Sequence, residues 1–347
     1  MYTDEDLHAA VNVGILDENT ADAFRKYVAT LNHSEAADEE NFQLVSGFND
    51  IFVTIAALLL LISAAWLGIR LTLGLGFFIA ATLSWLLSIH FVTKRRLALP
   101  AMVFLFAFVF STGGVATAIL MAFGIDTEYA LTAGCAIGVL AAWLHWLRFR
   151  VPITVAAGLV SMLACVLLIL SVFYPSIKNH LLAYVGGCGL VAFAVAMYWD
   201  AQDTKRNTRS SDVAFWLHML AAPLIVHPVY KGLGIHDGEA GVARLAIIIG
   251  LYVLLALVSV IIDRRALMVS ALVYVLYALT ALLKTYGMVG TGFAVSGVAI
   301  GLMLLLLSAF WHKVRYQLLR RLPEGWRSYL PAAPRDKPSV RVNLEGR

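Results

Sequence analysis

The chain has 347 residues, 61% of them apolar and 14% charged, with a net charge of +4 and a mean hydropathy of +0.81. Soluble domains are about half apolar and a quarter charged, so this composition excludes one. The apolar residues also come in blocks of about 20, which excludes the secreted, disordered and nucleic-acid-binding classes and leaves an all-α polytopic membrane protein.

Residues 1–49 form a polar, acidic head. Thr3 or Asp4 can cap a first helix, with Leu7, Ala10 and Val11 on one face and Gly14 at its end. Asp17 can cap a second, in which Ala21, Phe24, Val28 and Leu31 recur at three- and four-residue intervals as one apolar stripe. The spacing predicts a small cytoplasmic helical hairpin whose core is too small to stand alone. It would lean on the membrane body, a cytoplasmic protein partner or a second copy. The head lacks the basic and apolar regions of a cleavable signal, so the first span is expected to act as the insertion signal.

Residues 50–311 make the membrane body, in ten apolar blocks: 50–68, 71–92, 98–123, 128–147, 152–173, 179–199, 213–231, 243–262, 266–284 and 289–311. Each is about long enough to cross a hydrocarbon core of about 30 Å as a helix. The first two blocks are split only by Ile69 and Arg70, and the seventh contains Pro223 and Pro228; either is open to a re-entrant or broken reading. With the N-terminus inside, ten basic residues fall in inner loops: Lys94, Arg95, Arg96, Arg148, Arg150, Lys205, Arg206, Arg209, Arg264 and Arg265. Five, Arg70, Lys178, Lys231, Arg244 and Lys284, fall in outer ones. This bias predicts that both termini are cytoplasmic.

Residues 312–347 form a basic tail of net charge +6, opposite in sign to the head at −8. Two readings follow: the tail docks on the head, or anionic lipid holds it. Trp311 to Leu330 mixes aromatic and basic residues in the manner of an interfacial helix, and Pro331, Pro334 and Pro338 end it before a disordered segment.

Within the spans no Asp, Glu, Lys or Arg stands away from the ends, which argues against ion-coupled transport. The densest polar group lies around the sixth and seventh spans: Asp200, Asp212, Trp216, His218 and His227, with Pro223 between the histidines. A proline there leaves the carbonyl near residue 219 without its usual partner, so the two histidines and that carbonyl are a candidate polar site in the bundle. The plainer alternative has His218 bonded to a neighbouring helix, His227 near the outer interface and the acids and arginines in a solvated loop. His145, between Trp143 and Trp146, reads as interfacial. Cys135, Cys165 and Cys188 lie inside spans without metal or redox spacing, no hydrolase or nucleotide motif occurs, and neither a metal nor a cofactor is expected. Gly134-x-x-x-Gly138 and Gly297-x-x-x-Gly301 permit close helix contact, within the bundle or in a homo-oligomer.

The head residues Leu7, Ala10, Val11, Gly14, Ile15, Leu16 and Ala21, the run Phe48-Asn49-Asp50, and the tail with Leu322-Pro323 and Leu330-Pro331 resemble bacterial multi-span inner-membrane proteins of the domain-of-unknown-function type. The segment Asp212 to Pro228 with Asp263-Arg264-Arg265-Ala266-Leu267 is similar to alphaproteobacterial members. The resemblance implies a bacterial inner-membrane setting and no particular reaction. Two function classes remain open: a non-enzymatic protein that binds or passes a neutral or lipid-like solute near Pro223, and a membrane-anchored scaffold whose head recruits a partner. An enzyme is the third reading, because paired catalytic groups are not found.

Overall fold

The computed structural model of the chain describes residues 7, 10–11, 13–24, 48–95, 97–204, 206, 208–232, 242–285, 291–323, 325 and 330–331. The chain divides into two compact units, Met1–Phe42 with Pro334–Arg347, and Gln43–Ala333.

In the first unit Leu7 and Ala21 are buried within short helical stretches. Gly14 lies between them at φ +75°, a left-handed conformation open to glycine at little cost. Its N–H donates to the Val11 carbonyl, and that of Ile15 to Ala10, which closes the first stretch as the sequence predicts. Val28 and Leu31 of the expected hairpin stripe, and the proposed docking of the tail, lie outside the described residues.

Every element of the second unit among the described residues is helical. They are α1 (Phe48–Ile69), α2 (Leu73–Ser88, continued by a π-helical turn Ile89–Lys94), α3 (Ala98–Ala122), α4 (Thr127–Phe149), α5 (Ile153–Phe173), α6 (Leu181–Gln202), α7 (Arg209–Gly232), α8 (Val242–Ile262), α9 (Ala266–Thr285), α10 (Thr291–Ala309) and α11 (Trp311–Arg320). Such apolar segments become helices because lipid offers their backbone N–H and C=O groups no partner, and a helix satisfies them within itself.

Each of the ten apolar blocks falls on one of α1 to α10. Within the described residues seven helices, α1 to α7, are long and apolar enough to cross a membrane. α10 and α11, bent by 67° at their junction, pass that test together, whereas Ala246–Ile262 and Ala266–Thr280 are shorter apolar helices. The protein is therefore a helical multi-pass membrane protein. The doubtful first pair is two separate helices: the chain turns at Arg70 and Leu71, and the Thr72 side chain caps α2 by accepting from the Leu75 N–H at 3.2 Å.

Neighbours in sequence are mostly neighbours in space. α1 packs on α2 and α3, α2 on α3, α3 on α4, and α4 on α5. α7 is the hinge of the arrangement, since it contacts α5, α6 and α9, with α8 on α9 and α11 on α8. At the α3–α4 crossing a Cβ on Gly113 would stand 2.6 Å from the Gly134 carbonyl oxygen, so the two backbones touch. The other glycine pair differs: among the described residues a Cβ on Gly297 or Gly301 would meet nothing within 4 Å, and α10 is mostly exposed.

Candidate functional site

α7 runs unbroken through Pro223 and Pro228. Pro223 has no N–H to offer the Met219 carbonyl. Opposite this stretch, Gly189 lets α6 approach, for a Cβ there would come within 2.8 Å of Leu224 C and Ile225 N. Tight contact with α6 supports a helix that two prolines would otherwise weaken.

A buried cluster of charges gathers at one end of α6 and α7 and in the α8–α9 connection. Asp200, in the last turn of α6, accepts from His218 Nε2 at 2.8 Å and from Arg264 Nη2 at 2.6 Å. Arg264 Nη2 also donates to the Ser211 carbonyl at 3.1 Å and to Ser211 Oγ at 3.2 Å. Asp200, His218 and Arg264 are at most 2% exposed. Beside them Arg206 donates to Asp263 Oδ2 and to its carbonyl, both at 2.9 Å, and Trp311 Nε1 donates to Asp263 Oδ1 at 2.6 Å. Arg315 Nη2 donates to the Pro331 carbonyl at 2.5 Å. Arg206 and Asp263 both adopt left-handed backbone, at φ 54° and 58°, so each connection turns sharply where the ion pair forms. Asp203 Oδ2 accepts from Thr208 N–H at 2.7 Å and Thr208 Oγ1 at 2.6 Å, ordering the turn into α7. Burial pushes the Arg206 guanidinium below its ordinary value and Arg264 adds to the push, while Asp263 and Asp200 oppose it.

The cluster thus ties two connections and the start of α11 to the α6–α7 pair. Trp311, Arg315 and Leu319 lie one helical turn apart and are buried, while Tyr316 and Arg320 are exposed. The aromatic anchor expected at Trp311 is a packed residue holding a carboxylate.

The structure brings together only part of the predicted site. His218 and Asp200 meet, but His227 stands apart, about 13 Å along the helix at 1.5 Å per residue. Its Nδ1 meets the Tyr274 hydroxyl at 2.5 Å, and Tyr274 stacks on Tyr230 at 4.9 Å between ring centroids. Asp212 is half-buried one residue past Ser211. Trp216 faces a different feature, described below. His145, expected at the interface, is instead fully buried: its Nδ1 lies 3.3 Å from Thr154 Oγ1, and Trp85, Phe108 and Phe149 surround the ring. The sequence reading missed Asp263, Arg264 and Ser211. Asp263-Arg264-Arg265 after an apolar helix looks like any inner loop, and the available hint was Asp200, an acid inside the last turn of an otherwise apolar span.

Trp216, Met219, Leu220 and Pro223 form one wall of a cleft of about 710 Å³ bounded also by α2, α3, α4 and α5. Phe77 and Phe110 stand among its other lining residues, and among the described residues no Asp, Glu, Lys, Arg or His lines it. Its polar groups are few: Thr117 bonds the Ala130 carbonyl at 3.2 Å and Ser161 the Ala157 carbonyl at 3.0 Å, which leaves the walls with little to offer a charged ligand. The volume lies within the range usual for small-molecule sites, about 300–1,000 Å³. Among the described residues no group of three or more His, Cys, Asp or Glu is placed to hold a metal ion, and the three cysteines are free. No family model, curated protein or solved structure matches the chain.

Proposed function

We propose that this is a ten-span protein of a bacterial inner membrane, with both ends cytoplasmic, that binds or passes a neutral, lipid-like molecule in the cleft along α7. The observation that carries this reading is the uncharged cleft itself, whose wall is the Trp216–Pro223 segment. A charged ligand would lose its hydration there with no opposite charge to meet it, whereas a hydrocarbon chain gains from leaving water. The ten-span count is supported by the match of each apolar block to one helix. Sidedness is supported by the basic bias of the loops that end α2, α4, α6 and α8.

The test is crosslinking with a photoactivatable acyl-chain probe in vesicles. The reading expects adducts at Phe110, Trp216 and Met219 that saturate and are chased by unlabelled lipid. Non-saturating adducts spread equally over the exposed face of α1, at Phe52 and Leu59, would contradict it.

A second reading, a scaffold whose head recruits a cytoplasmic protein, draws on exposed Val13, Ile15 and Phe24 in the first unit. Removing residues 1–42 separates the two readings: cleft labelling is expected to persist without the head.

A further inference from the structure

α7 carries different chemistry on two sides. At about 100° per residue, Trp216, Met219, Leu220 and Pro223 share one face, and Ser211 and His218 lie about 200° round from it. The second face belongs to the buried charge cluster and takes no part in lining the cleft.

His218 is held in one state by its surroundings. Nε2 lies 2.8 Å from Asp200 Oδ2, a geometry that makes Nε2 the protonated nitrogen, since an ionised carboxylate only accepts. Nδ1 is buried and has no partner among the described residues. The ring edge packs against Phe193, at 5.4 Å between centroids. The charged groups that face it are Asp200 from α6, Arg264 from the α8–α9 connection and Arg206 from the α6–α7 connection. Behind these stand Asp263 and Arg315, with Asp203 and Asp212 at the entry to α7. A second ring proton in the closed cluster would find no acceptor among the described residues, and it would set a second cation beside Arg264 on one carboxylate.

We propose that the Asp200–His218 pair is a proton-binding site whose loading opens the junction of α6, α7 and the α8–α9 connection. The proton comes from bulk water and goes to His218 Nδ1; the Nε2–H stays where it is, and no covalent bond other than N–H forms. The closed junction takes up no proton at Nδ1, while the opened, hydrated one accepts it as an ordinary histidine does, near pH 6.5. Opening therefore binds a proton, and the sign follows: the closed junction is fully stable above about pH 6.5 and loses ground as the pH falls through that value. The inference does not depend on what occupies the cleft.

Hydrogen exchange of the full chain in vesicles tests it, followed in the peptides spanning Arg206–Ser211 and Asp263–Ala266 and corrected for the intrinsic rate at each pH. Wild type is expected to show an opening constant that rises about tenfold per pH unit below about pH 6.5, the mark of one proton. His218→Gln, whose amide still donates to Asp200, is expected to remove that slope while keeping the protection seen at pH 8. A flat wild-type profile overturns the proposal, and so does an unchanged slope in the variant. If the variant opens at every pH, wild-type histidine nitrogen chemical shifts decide: an Nδ1 that titrates together with junction exchange supports the site, and one that does not overturns it.

Discussion

A carboxylate buried beside a guanidinium is costly to desolvate, and Asp200 and Arg264 offset that cost only because each finds several partners. Asp200 takes His218 and Arg264, and Arg264 adds both polar atoms of Ser211. Removing one member leaves the other charged and buried, so Arg264→Gln is expected to destabilise the protein by about 3–5 kcal/mol. Asp200→Asn combined with Arg264→Gln is expected to cost less than the two single losses added, because the stranded charge is gone. Thermal denaturation in detergent of the two single variants and the double variant measures both quantities. At the crossing of α3 and α4 a Cβ on Gly134 would stand 2.1 Å from Thr117 Oγ1 and 2.9 Å from the Gly113 carbonyl. Gly134→Ala should therefore cost about 1–3 kcal/mol by overpacking. Gly297→Ala meets nothing within 4 Å among the described residues and should change stability by less than about 0.5 kcal/mol.

That contrast bears on what a sequence can reveal about elements. Ten runs of about 20 apolar residues each correspond to a helix, and among the described residues seven of these are long and apolar enough to cross a membrane. The split at Ile69 and Arg70 was less legible, and it took the structure, where the Thr72 side chain caps α2, to make the pair two separate helices. The two glycine motifs, however, look identical on paper, and only the neighbours that arrive from elsewhere in the chain make one a contact and leave the other open. The same limit applies to the site. Asp200 and His218 were visible as polar residues near the ends of two spans, but burial of Asp263-Arg264 depends on how the α8–α9 connection meets the α6–α7 pair. The sequence grouped His218 and His227 around Pro223, but α7 runs on through that proline and the structure keeps the two histidines apart. α11 tests the element-level account. Its turn away from α10 is held by Trp311 Nε1 on Asp263, so Trp311→Phe, which keeps most of the ring volume, should lose about 1.5–3 kcal/mol, the worth of a hydrogen bond to a charged group. Increased proteolysis after α10, together with the lowered midpoint, is the measurement.

At the scale of the whole molecule, α7 is shared between two features. One face closes a buried charge cluster with α6 and the α8–α9 connection, and the opposite face walls an apolar cleft with α2 to α5. The proposed binding of an apolar molecule concerns only the second face, where no charged residue lines the cleft among the described residues. The most direct measurement is equilibrium binding of a fluorescent acyl-chain probe to the full chain in detergent, comparing two tryptophan substitutions. Val160→Trp fills the cleft, while Val191→Trp adds the same bulk to an exposed position of α6 outside it. The account predicts that Val160→Trp weakens binding at least about tenfold, equivalent to about 1.4 kcal/mol, and that Val191→Trp leaves it unchanged. Equal affinity in wild type and both variants, with thermal midpoints preserved, would contradict it.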